Sequence, residues 1–85
     1  MTQRELVLKY IQDFGSITPL EAFRDLGVTR LSAVIFTLRK RGNLIVTDTE
    51  TATNRYGKTV KYARYRLMGY EEVTEYLDQL LEVSV

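Results

Sequence analysis

Asp25-Leu26-Gly27-Val28-Thr29-Arg30-Leu31 is the stretch on which the fold turns. Glycine at position 27 supplies a positive-φ backbone that ends one helix. Val28 fills the inside of the bend, and Thr29 suits the N-cap of a helix starting at about Arg30. Two helices joined by so short a turn cannot lie side by side. They must cross at a steep angle, as in a helix-turn-helix corner.

Upstream, Thr18-Pro19-Leu20-Glu21 opens the helix that ends at Gly27. It reads as a capping box with proline at the first helical position, where the missing N–H does no harm. Ala22, Phe23 and Leu26 mark that helix's inner face. Ser16-Ile17 is a short extended link; in many winged helices, which this arrangement resembles, such a link pairs as a minimal strand with a later hairpin. Thr2-Gln3-Arg4-Glu5 matches another capping box, and Leu6, Tyr10 and Phe14, with Val7 and Ile11 beside them, form an apolar stripe up to Gly15. The three- and four-residue spacing predicts a first helix packed on the core.

Downstream, the third helix is expected from about Arg30 to Arg41, ended by Gly42. Leu31, Ile35 and Leu38, with Val34 alongside, belong in the core. By subtraction, Thr29, Arg30, Ser32, Ala33, Phe36, Thr37 and Lys40 lie nearer the outer face. Asn43 to Glu50 and Thr59 to Leu67 are alternating, β-prone runs. In the second, Ala63, Tyr65 and Leu67 share one face and Tyr62, Arg64 and Arg66 the other. The polar stretch Thr51 to Lys58 between them reads as the tip of an antiparallel hairpin. Met68-Gly69 breaks the strand. Val73, Tyr76, Leu77, Leu80 and Leu81 then form the apolar stripe of a last helix, either covering the core or, as preferred here, pairing in a twofold dimer.

The expected fold class is therefore α+β, three helices with a β-hairpin over residues 1–68, followed by an acidic amphipathic helix over 69–85. An 85-residue chain, 45% hydrophobic and 27% charged, has room for one modest core. The net charge of +1 conceals a sorted distribution. Residues 70–85 carry Glu71, Glu72, Glu75, Asp78 and Glu82 and no Lys or Arg. Residues 26–69 carry Arg30, Arg39, Lys40, Arg41, Arg55, Lys58, Lys61, Arg64 and Arg66 against only Asp48 and Glu50. A basic middle points to a polyanionic partner. With no Cys and no His, thiolate and imidazole chemistry are excluded, and no glycine-rich phosphate loop or catalytic carboxylate spacing is present. No enzyme activity, cofactor, metal or small-molecule ligand is expected. Without an apolar run of membrane-spanning length or a signal-peptide core, a cytoplasmic location is expected.

Together, Ile17-Thr18-Pro19-Leu20-Glu21-Ala22, Gly27-Val28-Thr29-Arg30-Leu31-Ser32-Ala33, Leu38-Arg39-Lys40-Arg41-Gly42 and Ala63-Arg64-Tyr65-Arg66-Leu67 resemble a winged helix-turn-helix family common in phages and prophages. The resemblance covers residues 3–67. It departs at Val34, where members often carry a basic residue. It implies a DNA binder with a regulatory or recombination-accessory role.

On this reading double-stranded DNA is the partner. Thr29, Arg30, Ser32, Ala33 and Thr37 are the expected base readers, being small or hydroxyl-bearing enough to enter a major groove about 12 Å wide, with Arg30 suited to guanine. Thr18, Arg39, Lys40, Arg55, Lys58 and Lys61 are the expected backbone contacts, since phosphates need only a nearby cation or donor. Val73, Tyr76, Leu77, Leu80 and Leu81 would form the dimer contact. The competing expectation is a docking module of the same shape that binds another protein, the acidic tail taking part.

Overall fold

The computed structural model describes the backbone of residues 1–83 and the side chains of residues 1–81. Ser84 and Val85, the end of the expected 69–85 segment, lie outside the described residues. In chain order the elements are α1 (Gln3–Phe14), α2 (Pro19–Leu26), α3 (Leu31–Lys40), β1 (Ile45–Thr53), β2 (Thr59–Leu67) and α4 (Tyr70–Val83).

The corner forms as its chemistry dictates. Gly27 takes φ 69°, and the Gly27 N–H donates to the Phe23 carbonyl at 3.0 Å while the Val28 N–H donates to that of Ala22 at 3.0 Å. These bonds satisfy carbonyls that the end of α2 leaves open. Val28 is buried at the inside of the bend. At the other end of α2 the capping box is complete: the Thr18 N–H donates to Glu21 Oε1 at 2.9 Å and the Glu21 N–H to Thr18 Oγ at 3.2 Å. At α1 the box is only half made. Thr2 Oγ accepts the Glu5 N–H, but Glu5 Oε1 takes the Thr2 hydroxyl instead of a backbone N–H.

The core is assembled by α1, α2, α3 and the base of the hairpin. Val7, Ile11, Ile17, Ala22, Val28, Leu31, Val34, Ile35, Leu38, Ile45 and Tyr65 are its buried members. All four apolar positions expected to turn inward from α3 do so. On α1 the buried line is Val7 and Ile11; Leu6 and Tyr10 are half-buried and Phe14 is exposed, its ring 4.7 Å from that of Tyr10. On α2 only Ala22 is buried, and Phe23, expected inside, faces out. An eight-residue helix presents only a narrow strip to its neighbours, and Phe23 falls outside it.

The sheet is antiparallel, with Ile45 opposite Leu67, Asp48 opposite Arg64, Glu50 opposite Tyr62 and Thr53 opposite Thr59. Its strands run three residues further than expected on the β1 side, so the turn shrinks to Asn54–Lys58. Asn54 explains the tightness: its Oδ1 accepts the N–H groups of Tyr56 and Lys58, and Gly57 supplies φ 79°. Ile17 adds a third, one-residue rung, exchanging N–H to carbonyl bonds of 2.9 Å with Tyr65 in both directions. The link before α2 thereby fixes the hairpin to the helices. Beyond Gly69, none of the described side chains of α4 joins the core cluster.

Candidate nucleic-acid interface

The α3 helix divides its residues by depth. Leu31, Val34, Ile35 and Leu38 are buried, whereas Thr29, Arg30, Ser32, Ala33, Phe36 and Lys40 are exposed and Thr37 is half-buried, its hydroxyl donating to the Ala33 carbonyl at 3.2 Å. The helix starts one residue later than expected. Arg30, not Thr29, is the N-cap, its carbonyl accepting from Ala33 and Val34, and no side chain caps the end. Seating Val28 in the core carries the chain one residue further before helical geometry begins. The Thr29 hydroxyl and the Arg30 guanidinium therefore both lack a structural partner among the described residues.

Arg30, Ala33, Val34 and Thr37 line one open cleft of about 480 Å³ with Thr2, Gln3 and Arg4. Val34 lines the cleft and also belongs to the core, where an apolar residue packs. Arg4 and Gln3 escaped the sequence reading because only the packing of α1 against α3 brings the first turn of the chain beside the outer face.

Ion pairing sorts the cations. Arg24 is held by Asp25, and Lys9 by Asp13. Arg64 donates to Glu50, Ser16 and Glu21; Arg66 donates to Asp48 and, through both terminal nitrogens, to Glu72. The Tyr62 hydroxyl and Arg64 hold Glu50 below its usual pKa, and Arg66 with the Gly69 N–H does the same for Glu72. Both carboxylates of the hairpin, Asp48 and Glu50, are thus engaged by arginines of β2. The hairpin's outer part carries Arg55, Lys58 and Lys61, all exposed and none ion-paired among the described residues. Arg4, Arg30, Lys40 and Arg41 are likewise without a carboxylate, Lys40 Nζ lying 4.8 Å from the Phe36 ring centroid.

Two of the expected backbone contacts also make bonds within the fold. Thr18 is 5% exposed and its oxygen accepts the Glu21 N–H, as the cap of α2. Arg39 is turned to the fold: Nε and Nη2 donate to the Ile45 carbonyl at 3.1 and 2.9 Å, and Nη2 to Thr47 Oγ at 2.8 Å. These bonds tie the end of α3 to the start of β1.

A second hollow, about 560 Å³, lies between α2 and the hairpin, lined by Leu20, Ala52, Tyr62, Arg24 and Arg64 among others. Its arginines are already paired, so it offers no free charge. Val73 on α4 is half-buried, while Tyr76, Leu77, Leu80 and Leu81 are each about half or more exposed. Glu71, Glu75 and Asp78 face solvent. Among the described residues, no group of His, Cys, Asp or Glu is placed to hold a metal, and no helix is long and apolar enough to cross a membrane.

A helix corner turned at Gly27, a third helix with unpaired cations at both ends and a cationic hairpin joined to it through Arg39 define a winged helix-turn-helix. Residues 2–69 match the family model described as a winged helix-turn-helix domain, and the chain belongs to that family. Membership points to DNA binding in general. Comparisons with curated proteins and with solved structures return no match.

Proposed function

We propose that the protein binds double-stranded DNA sequence-selectively, with α3 in the major groove and the hairpin wing on the backbone. Thr29, Arg30, Ser32, Ala33 and Thr37 read base edges, and Lys40, Arg55, Lys58 and Lys61 hold phosphates. The observation that carries this reading is the partition of charge. Cations near the core are matched with carboxylates, whereas those on the outer face of α3 and on the wing are left open. An unmatched basic surface on this fold is the footprint of a polyanion. The protein acts as a binder, not a catalyst, in the cytoplasm, and as a small phage-type regulator or recombination-accessory protein.

Selection of bound sites from a random duplex library, followed by anisotropy titrations, tests the reading. With about five phosphates neutralised, log affinity falls against log salt with a slope of roughly −4 to −5. Arg30→Ala costs about 1–3 kcal/mol on the selected site and little on random duplex, whereas Lys58→Ala weakens both alike. Equal losses for Arg30→Ala on the two duplexes would refute base readout. No shift of random duplex at low salt and micromolar protein would favour the docking-module reading, which the exposed apolar side of α4 supports.

A further inference from the structure

We propose a DNA-backbone subsite outside the recognition helix and the wing: the cleft between the first turn of α1 and the outer face of α3, with Arg4 as its phosphate-binding cation. The proposal rests on the DNA-binding reading and extends it to an element that carries no part of the helix-turn-helix. Three observations support it. Arg4 and Arg30 line the same open cleft, so two guanidinium groups border one concavity. Neither has an ion-pair or hydrogen-bond partner among the described residues, although Arg24, Arg39, Arg64 and Arg66 all do. Glu5, the nearest carboxylate in sequence, is engaged with the Thr2 hydroxyl and is not among the residues lining the cleft.

The geometry assigns different work to the two arginines. Arg30 leads into the helix whose small outer residues, Ser32 and Ala33, let it approach base edges. Arg4 stands across the cleft on a separate helix, where it meets the sugar-phosphate strand bordering the groove that α3 occupies. Gln3, beside it, offers an uncommitted amide as a donor to the same strand. A contact of this kind carries no base information; it fixes the angle at which α3 enters.

Salt-dependent anisotropy on full-length protein tests this, with the selected site and a random duplex as probes and Arg4→Gln, Arg4→Lys, Arg30→Ala and Lys58→Ala as variants. Arg4 makes no hydrogen bond or ion pair among the described residues and glutamine keeps most of its half-buried stem, so circular dichroism melting of Arg4→Gln should stay close to the parent. The expected result is a several-fold loss of affinity for Arg4→Gln on both duplexes, a salt slope shallower by about 0.9, and recovery of the slope in Arg4→Lys. An unchanged slope and affinity for Arg4→Gln, with Lys58→Ala still weakened, would overturn the subsite and leave the DNA-binding reading standing. Loss confined to the selected site would also overturn it, because Arg4 would then be reading sequence. Failure of the parent protein to bind either duplex would remove both.

Discussion

Gly27 is where a single residue decides the most. It sits at φ +69° with nothing within 4 Å of the place a Cβ would occupy. Gly27→Ala therefore introduces no clash, only the left-handed strain of an L residue, about 1–2 kcal/mol. The expected outcome is a lower midpoint of chemical denaturation with an unchanged slope against denaturant, since the folded surface is the same. Ile17 is the second such residue, fully buried and joined to Tyr65 by two backbone bonds. Ile17→Ala keeps the bonds and removes the packing, at a cost of about 2–5 kcal/mol in the same measurement. Gly27 was readable from turn chemistry, and the pairing of Ile17, though not its burial, from the likeness to winged helices. Phe14 and Phe23 show the opposite. Their hydrophobicity argues for burial, yet both are largely exposed, because the burying strip of a short helix is set by what packs against it.

At the scale of elements, Arg39 shows a cation at a helix end bonded within the fold. Sequence places it in a basic cluster at the end of α3; the structure uses it to clamp β1. Arg39→Ala is expected to loosen that junction by about 1–2 kcal/mol, read by denaturation, with an effect on DNA affinity smaller than that of Lys58→Ala. The α4 helix is the other case. Among the described residues its apolar side chains join no core position, and Tyr76, Leu77 and Leu80 are about half exposed. If a second copy covers them, Leu77→Asp with Leu80→Asp shifts sedimentation to the monomer while leaving the melting of the winged part nearly unchanged. A selected operator with half-sites one helical turn apart, roughly 34–36 Å, would mark the same dimer on DNA.

For the whole molecule, acid sensitivity follows from carboxylates engaged between elements. The bonds from Arg24 and the Tyr10 hydroxyl lower the pKa of Asp25 to about 2, and Glu50 and Glu72 are also held low. A carboxylate whose folded pKa is depressed contributes stability above its unfolded pKa and loses it as pH falls through the folded value. The melting temperature is therefore expected to hold steady from about pH 5 to 7, with no histidine to titrate, and to fall below about pH 4. Asp25→Asn should flatten part of that acid limb. Each pair is solvent-exposed enough for its individual share to be small. Tyr10 has the opposite sign: its hydroxyl is raised by the bond to Asp25, so its contribution is lost only as pH rises through that raised value.

Order and identity of the elements follow from short-range physics. Glycine and Asn54 turns, capping residues and a helical period that places Leu31, Val34, Ile35 and Leu38 inside all act within a few residues, so the sequence alone determined the three helices, the hairpin and the acidic last helix. Which charges remain open was decided only by tertiary structure. Pairing depends on strand register, since a slip of one residue would exchange the faces carrying Arg64 and Arg66 and release Glu50 and Asp48. It depends equally on the docking of α1 on α3, which puts Arg4 beside Arg30 although they are remote in the chain. Electrostatic partnership is a matter of distance in space, and no local rule carries that distance.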